Sequence, residues 1–89
     1  MSKSVTMYTT RLCPYCIRAR HLLDAKNVPY EDIAVDGKPE LRRRMTELSG
    51  QRTVPQIWIG EHHVGGYTDL FQLEQLGQLD ELLGAPGAS

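Results

Sequence analysis

The β-branched and aromatic run Val5-Thr6-Met7-Tyr8-Thr9 leads directly to Cys13-Pro14-Tyr15-Cys16, which holds both cysteines of the chain. Proline favours the first position of a helix, so the chain is expected to pass from strand through a reactive turn into a helix. Cys13 then sits at the helix cap with Cys16 one turn further along the same side, and the two sulfurs can meet. Unpartnered backbone N–H groups and the helix dipole favour an anion at Cys13, so a cysteine there is expected to ionise more readily than a free thiol. The thiolate is the attacking species in disulfide exchange. Arg11, Arg18 and Arg20 lie nearby, and any that faces the sulfur adds to this effect.

Taken alone, the pair fits a redox-active dithiol, a buried disulfide or half of a zinc site. A closed zinc site needs four ligands, which here would have to include histidines. His62 and His63 are adjacent and point to opposite faces of a strand, and His21 stands alone on the first helix. The N-terminus, Met1-Ser2-Lys3-Ser4-Val5, lacks the apolar core of a secretory signal, so a cytoplasmic, reducing setting is expected. In that setting an isolated Cys-x-x-Cys is more often catalytic than a permanent staple.

With 89 residues there is room for one core, and 40% hydrophobic with 24% charged residues is ordinary for a globular domain. A net charge of -1 gives no overall attraction to nucleic acid or an anionic membrane, although Arg42-Arg43-Arg44 forms a local basic patch. No apolar run is long enough to span a bilayer. Residues 1–84 read as a single domain, and Ala85-Pro86-Gly87-Ala88-Ser89 as a flexible tail.

Ala19, Leu22 and Leu23 continue a helix from about Pro14 to Lys26, where Asn27 can take a left-handed cap before Val28-Pro29. Tyr30 to Val35 reads as a second strand closed by Asp36-Gly37, which makes a parallel βαβ unit with the first. Leu41, Met45 and Leu48 mark a second helix from Pro39, capped by Gly50. Gln56 to Ile59 and His63-Val64 form a hairpin through Gly60-Glu61-His62, and Gly65-Gly66 ends it. Thr68 can cap a third helix with Asp69 in its first turn and Leu70, Leu73 and Leu76 as its buried stripe. A short helix around Leu79 to Leu83 closes the chain. The order predicts an α/β fold, a four-stranded mixed sheet flanked by helices, with a site at the carboxyl end of the first strand.

Cys13-Pro14-Tyr15-Cys16, Thr53-Val54-Pro55 and Gly65-Gly66-Tyr67-Thr68-Asp69, in that order, resemble the signature motifs of the dithiol glutaredoxins, members of the thioredoxin-like superfamily. The resemblance spans nearly the whole chain. It implies a thioredoxin-like fold, a cis peptide bond before Pro55, and glutathione-dependent reduction of protein–glutathione mixed disulfides and protein disulfides. Cys13 would be the attacking thiol and Cys16 the resolving one. Glutathione would act as co-substrate, with no metal expected, and a monomer suffices.

The same resemblance implies a glutathione site. The Val54 backbone would pair with the cysteinyl backbone of glutathione, with Thr53, Pro55, Gly66 and Tyr67 around it and Tyr15 as a wall. Glutathione carries a carboxylate at each end and an ammonium at its γ-glutamyl end. The helix start at Thr68 and Asp69 offers N–H groups to the glutamyl carboxylate, and the Asp69 side chain can take the ammonium. At the glycyl end the family commonly has a lysine three residues before the nucleophile; here that position is Thr10, and Arg11 and Arg42 are the candidate cations. Rival readings are an electron donor served by thioredoxin reductase, a glutathione-ligated iron–sulfur carrier and a zinc-binding structural module.

Overall fold

The computed structural model describes residues 4–84; Met1–Lys3 and the expected flexible tail, 85–89, lie outside the described residues. The elements are β1 (Val5–Thr9), α1 (Pro14–Ala25), β2 (Glu31–Ala34), α2 (Pro39–Ser49), β3 (Gln56–Ile59), β4 (His62–Gly65), α3 (Tyr67–Gln75) and α4 (Leu79–Leu83). Their order and type are those expected from the chain. Asn27, with φ of 57°, turns the backbone after α1, and Gly50, with φ of 75°, ends α2. Among the described residues no helix is long and apolar enough to cross a membrane.

The sheet runs β2-β1-β3-β4, with β1 parallel to β2 and the remaining pairs antiparallel. Successive side chains of a strand alternate between faces. Val5 and Met7 therefore join Ile57 and Ile59 on one face, under Ala19 and Leu23 of α1, Leu70 of α3, and Leu79 and Leu83 of α4. Tyr8 faces the other way, into a smaller cluster with Val35 and Met45, flanked by Leu41, Val54 and Trp58. Leu48 and Leu76, expected to extend the buried stripes of α2 and α3, are exposed. Both stand at the C-terminal ends of their helices, and periodicity identifies a helix face without saying how far its cover extends.

The register decides where the site forms. Tyr8 at the end of β1 pairs with Gln56 at the start of β3, and Ile57 pairs with Gly65 at the end of β4. The segments after β1, before β3 and after β4 are thereby gathered at one end of the sheet. These segments carry the three motifs.

Candidate active site

Cys13 is the N-cap of α1, with extended backbone (φ -81°, ψ 119°) and Pro14 in the first helical turn. Its carbonyl accepts the first helical hydrogen bond, from the Ile17 N–H at 3.1 Å. The two thiols are free and unequally placed: Cys13 is partly exposed, whereas Cys16 is fully buried. Burial pushes the Cys16 thiol up to about 11, reinforced by the neighbouring Cys13 and opposed by the Thr10 backbone and the Arg20 charge. Cys13 Sγ faces the Val54 carbonyl oxygen at 3.8 Å.

The arginines near the motif have separate partners. Arg20 is held by Asp32, Nε to Oδ2 at 2.6 Å, and its Nη2 donates to Thr9 Oγ1 at 2.9 Å. Thr9 Oγ1 donates in turn to Asp32 Oδ1. This network ties α1 to β1 and β2 immediately behind the cysteine turn. The Arg18 guanidinium lies 5.5 Å from the Tyr15 ring centroid, within cation–π range. Arg11 pairs with Asp36 at 3.0 Å and holds that carboxyl below its ordinary range.

Beside Cys13 runs an open groove of about 280 Å³, lined by Tyr15, Gln51, Thr53, Val54, Pro55, Gly66, Tyr67, Thr68 and Asp69. The Val54–Pro55 peptide bond is cis. The Tyr15 and Tyr67 rings flank the groove with centroids 6.4 Å apart, and Tyr67 stacks on Phe71 at 5.8 Å. At the other end α3 is capped at Gly66, two residues before the Thr68 cap expected from the sequence. The reason is local. Asp69 Oδ2 reaches back and accepts the Gly66 N–H at 3.0 Å, so Gly66 takes the cap position and Thr68 joins the first turn. The first N–H groups of α3 are thus presented at the groove.

Eight of the ten residues expected around glutathione, all but Arg11 and Arg42, line this one groove. Arg11 stands on Asp36. Arg42 lines a different cleft with Pro39, Arg43, Thr46 and Arg52. Three residues not expected around glutathione from the sequence also bear on the groove. Gln51 lines it, and the fully buried Gln56 side chain connects Gln51 and Thr53 to His63. The sequence carried little signal for them: strand alternation sets Gln56 with Trp58 on the face opposite Ile57 and Ile59, and only the fold shows that its amide is buried and so needs partners.

Comparison with known proteins gives a consistent picture. The glutaredoxin family profile matches residues 5–64. Glutaredoxin of Pseudomonas aeruginosa is 59% identical over 81 residues, covering 91% of this chain and 96% of that protein. The solution structure of glutaredoxin from Brucella melitensis superposes with a TM-score of 0.83 at 48% identity, covering 94% of this chain and 91% of that one. A crystal structure of a buckwheat glutaredoxin–glutathione complex superposes with a TM-score of 0.85 at 28% identity, covering 97% of this chain and 81% of that one.

Proposed function

Since this chain belongs to the glutaredoxin family and is a glutathione-dependent thiol–disulfide oxidoreductase, we propose that its groove seats the glutathionyl half of a mixed disulfide with the reacting sulfur at Cys13. The observation that carries this reading is Cys13 Sγ, 3.8 Å from the Val54 carbonyl, beside a groove that reaches the N-terminus of α3. The backbone of Val54 is suited to pair with the cysteinyl backbone of the ligand. Thr68 and Asp69 offer N–H groups to the glutamyl carboxylate, and Asp69 keeps Oδ1 for the ammonium while Oδ2 holds the cap. Thr53, Pro55, Gly66, Tyr67 and Tyr15 supply walls. Arg11 and Arg42, both exposed, serve the glycyl carboxylate by swinging toward the bound ligand. The glutathione-bound buckwheat relative supports the ligand assignment.

In the monothiol route the Cys13 thiolate attacks the glutathionyl sulfur. The new S–S bond forms as the old one breaks, and the protein thiolate leaves and takes a proton from water. A second glutathione thiolate then attacks the bound glutathionyl sulfur, releasing oxidised glutathione and the Cys13 thiolate. In the dithiol route Cys13 forms a mixed disulfide with the substrate protein. Cys16 resolves it by attacking Cys13 Sγ, and two glutathiones reduce the resulting bridge. Reduced glutathione must be abundant for either route, which suits the cytoplasm, and one chain carries every group required.

The test is glutathione-coupled reduction of a small mixed disulfide and of a protein disulfide by wild type and two variants. Cys13→Ser should abolish both activities. Cys16→Ser should keep the first and lose most of the second. Full mixed-disulfide reduction by Cys13→Ser would sink the assignment, and wild-type turnover with thioredoxin reductase but not glutathione would replace the reductant.

A further inference from the structure

The groove wall formed by Gln51 to Val54 has no regular secondary structure, so its shape depends on side-chain bonds rather than a backbone ladder. Ser49 supplies one clamp, donating from Oγ to the Gln51 carbonyl at 2.9 Å and accepting the Gln51 N–H at 3.0 Å. Gln56 supplies the other. Its Nε2 lies 3.1 Å from Gln51 Oε1, 3.0 Å from the Thr53 carbonyl and 3.1 Å from Thr53 Oγ1.

The orientation of this amide follows from hydrogen-bond chemistry. A backbone carbonyl can only accept, so the Gln56 atom facing Thr53 O must be the nitrogen, and the oxygen must face the other way. That oxygen lies 2.7 Å from His63 Nε2. His63 must therefore donate from Nε2, which it does as the Nε2–H tautomer or as the imidazolium. The ring that donates is itself held. His63 is the cross-strand partner of Trp58, with ring centroids 4.7 Å apart, and Trp58 packs edge-on to Tyr8 at 5.5 Å. A chain of contacts thus runs from the sheet through His63 and Gln56 to the wall beside Cys13.

We infer that Gln56 and His63 are positioning residues for glutathione. His63 locks the Gln56 amide, and the amide holds Gln51 and Thr53 in the shape that receives the ligand. This inference deepens the reading of the groove as a glutathione site and rests on it. Without the His63 donor, the Gln56 oxygen is a buried acceptor with no partner, and the amide is no longer anchored from the sheet. The wall then loses its hold, while Cys13, fixed by the cap of α1, keeps its place and its chemistry.

The experiment uses the full chain and a cysteine–glutathione mixed disulfide, with KM and kcat measured separately. His63→Phe retains an aromatic ring for Trp58 and removes the donor, His63→Gln retains an N–H donor, and Gln56→Met retains length and removes both polar ends. His63→Phe should raise KM about five- to tenfold, the effect of one lost buried hydrogen bond, and Gln56→Met, which removes all the bonds of the amide, at least as much, with kcat changed less than about twofold in both. His63→Gln should stay within about twofold of wild type. Alkylation of Cys13 by iodoacetamide should proceed at the wild-type rate in all three. An unchanged KM in folded His63→Phe would overturn the inference, as would equal loss in His63→Phe and His63→Gln, since a retained N–H donor would then rescue nothing. Should Gln56→Met fail to fold, the two His63 variants decide the matter alone. Failure of the glutathione reading itself shows differently, as absence of mixed-disulfide turnover in the wild type.

Discussion

Cys13 and Cys16 stand three residues apart, yet one faces a groove and the other is sealed beneath the helix. Burial raises the Cys16 thiol from its ordinary 9.0 to about 11, because the low-dielectric surroundings disfavour the thiolate. This has a consequence for stability. Between pH 9 and 11 the unfolded chain has released the Cys16 proton while the folded chain retains it, so rising pH favours unfolding. The stabilisation is whole below pH 9 and lost as pH climbs through about 11. In reducing buffer, the urea midpoint of the wild type should fall more steeply across this interval than that of Cys16→Ala. Tyr30, whose hydroxyl is also raised by burial, titrates in both proteins and drops out of the difference. Parallel pH profiles for the two proteins would contradict a neutral, buried Cys16.

At the scale of elements, the β4–α3 junction couples helix capping to the ligand end of the groove. Gly65 has φ of 114°, which side-chain-bearing residues rarely adopt, and a Cβ there would collide with Asp69 Oδ2. Gly65→Ala therefore strains the turn and pushes away the carboxylate that caps α3 at Gly66. The expected loss is on the order of 2–4 kcal/mol, combining a strained backbone with a lost cap. Thermal unfolding should reveal this, together with a raised KM for the glutathione mixed disulfide. A lowered melting temperature with unchanged KM would separate the cap from the ligand site. This junction also shows what a linear reading can reach. The helix after Gly66, the Asn27 and Gly50 turns and the strand Gln56–Ile59 were legible because each depends on neighbours in sequence. The exact cap was not, because Asp69 reaching back competes with Thr68 as cap and only the folded turn decides between them. Gln51, Gln56 and His63 were less legible still, since their bonds join the segment before β3 to β4. For the same reason the partners of Arg11 and Arg20 emerged only from the fold.

For the whole molecule the decisive asymmetry lies between the two faces of the sheet. One face is sealed by a cluster of nine buried residues drawn from β1, β3, α1, α3 and α4. The other rests on three, Tyr8, Val35 and Met45, with Met45 the one fully buried side chain of α2. Hydrophobic stabilisation scales with the apolar area removed from water, so α2 is attached less firmly than α1 or α3. Native-state hydrogen exchange should find α2 amides opening at lower free energy than those of β1 and β3. Met45→Ala should widen that gap, at a cost of about 2–5 kcal/mol, large against the 5–15 kcal/mol usual for a domain. The chain passes from α2 directly into the Gln51–Val54 wall, so loosening α2 should also weaken glutathione binding while the Cys13 cap on the opposite face stays intact. Uniform exchange protection across all helices, or a Met45→Ala variant that loses α1 and α2 together, would mean that the sheet's two faces unfold as one unit. The groove would then be no softer than the helix that carries the nucleophile.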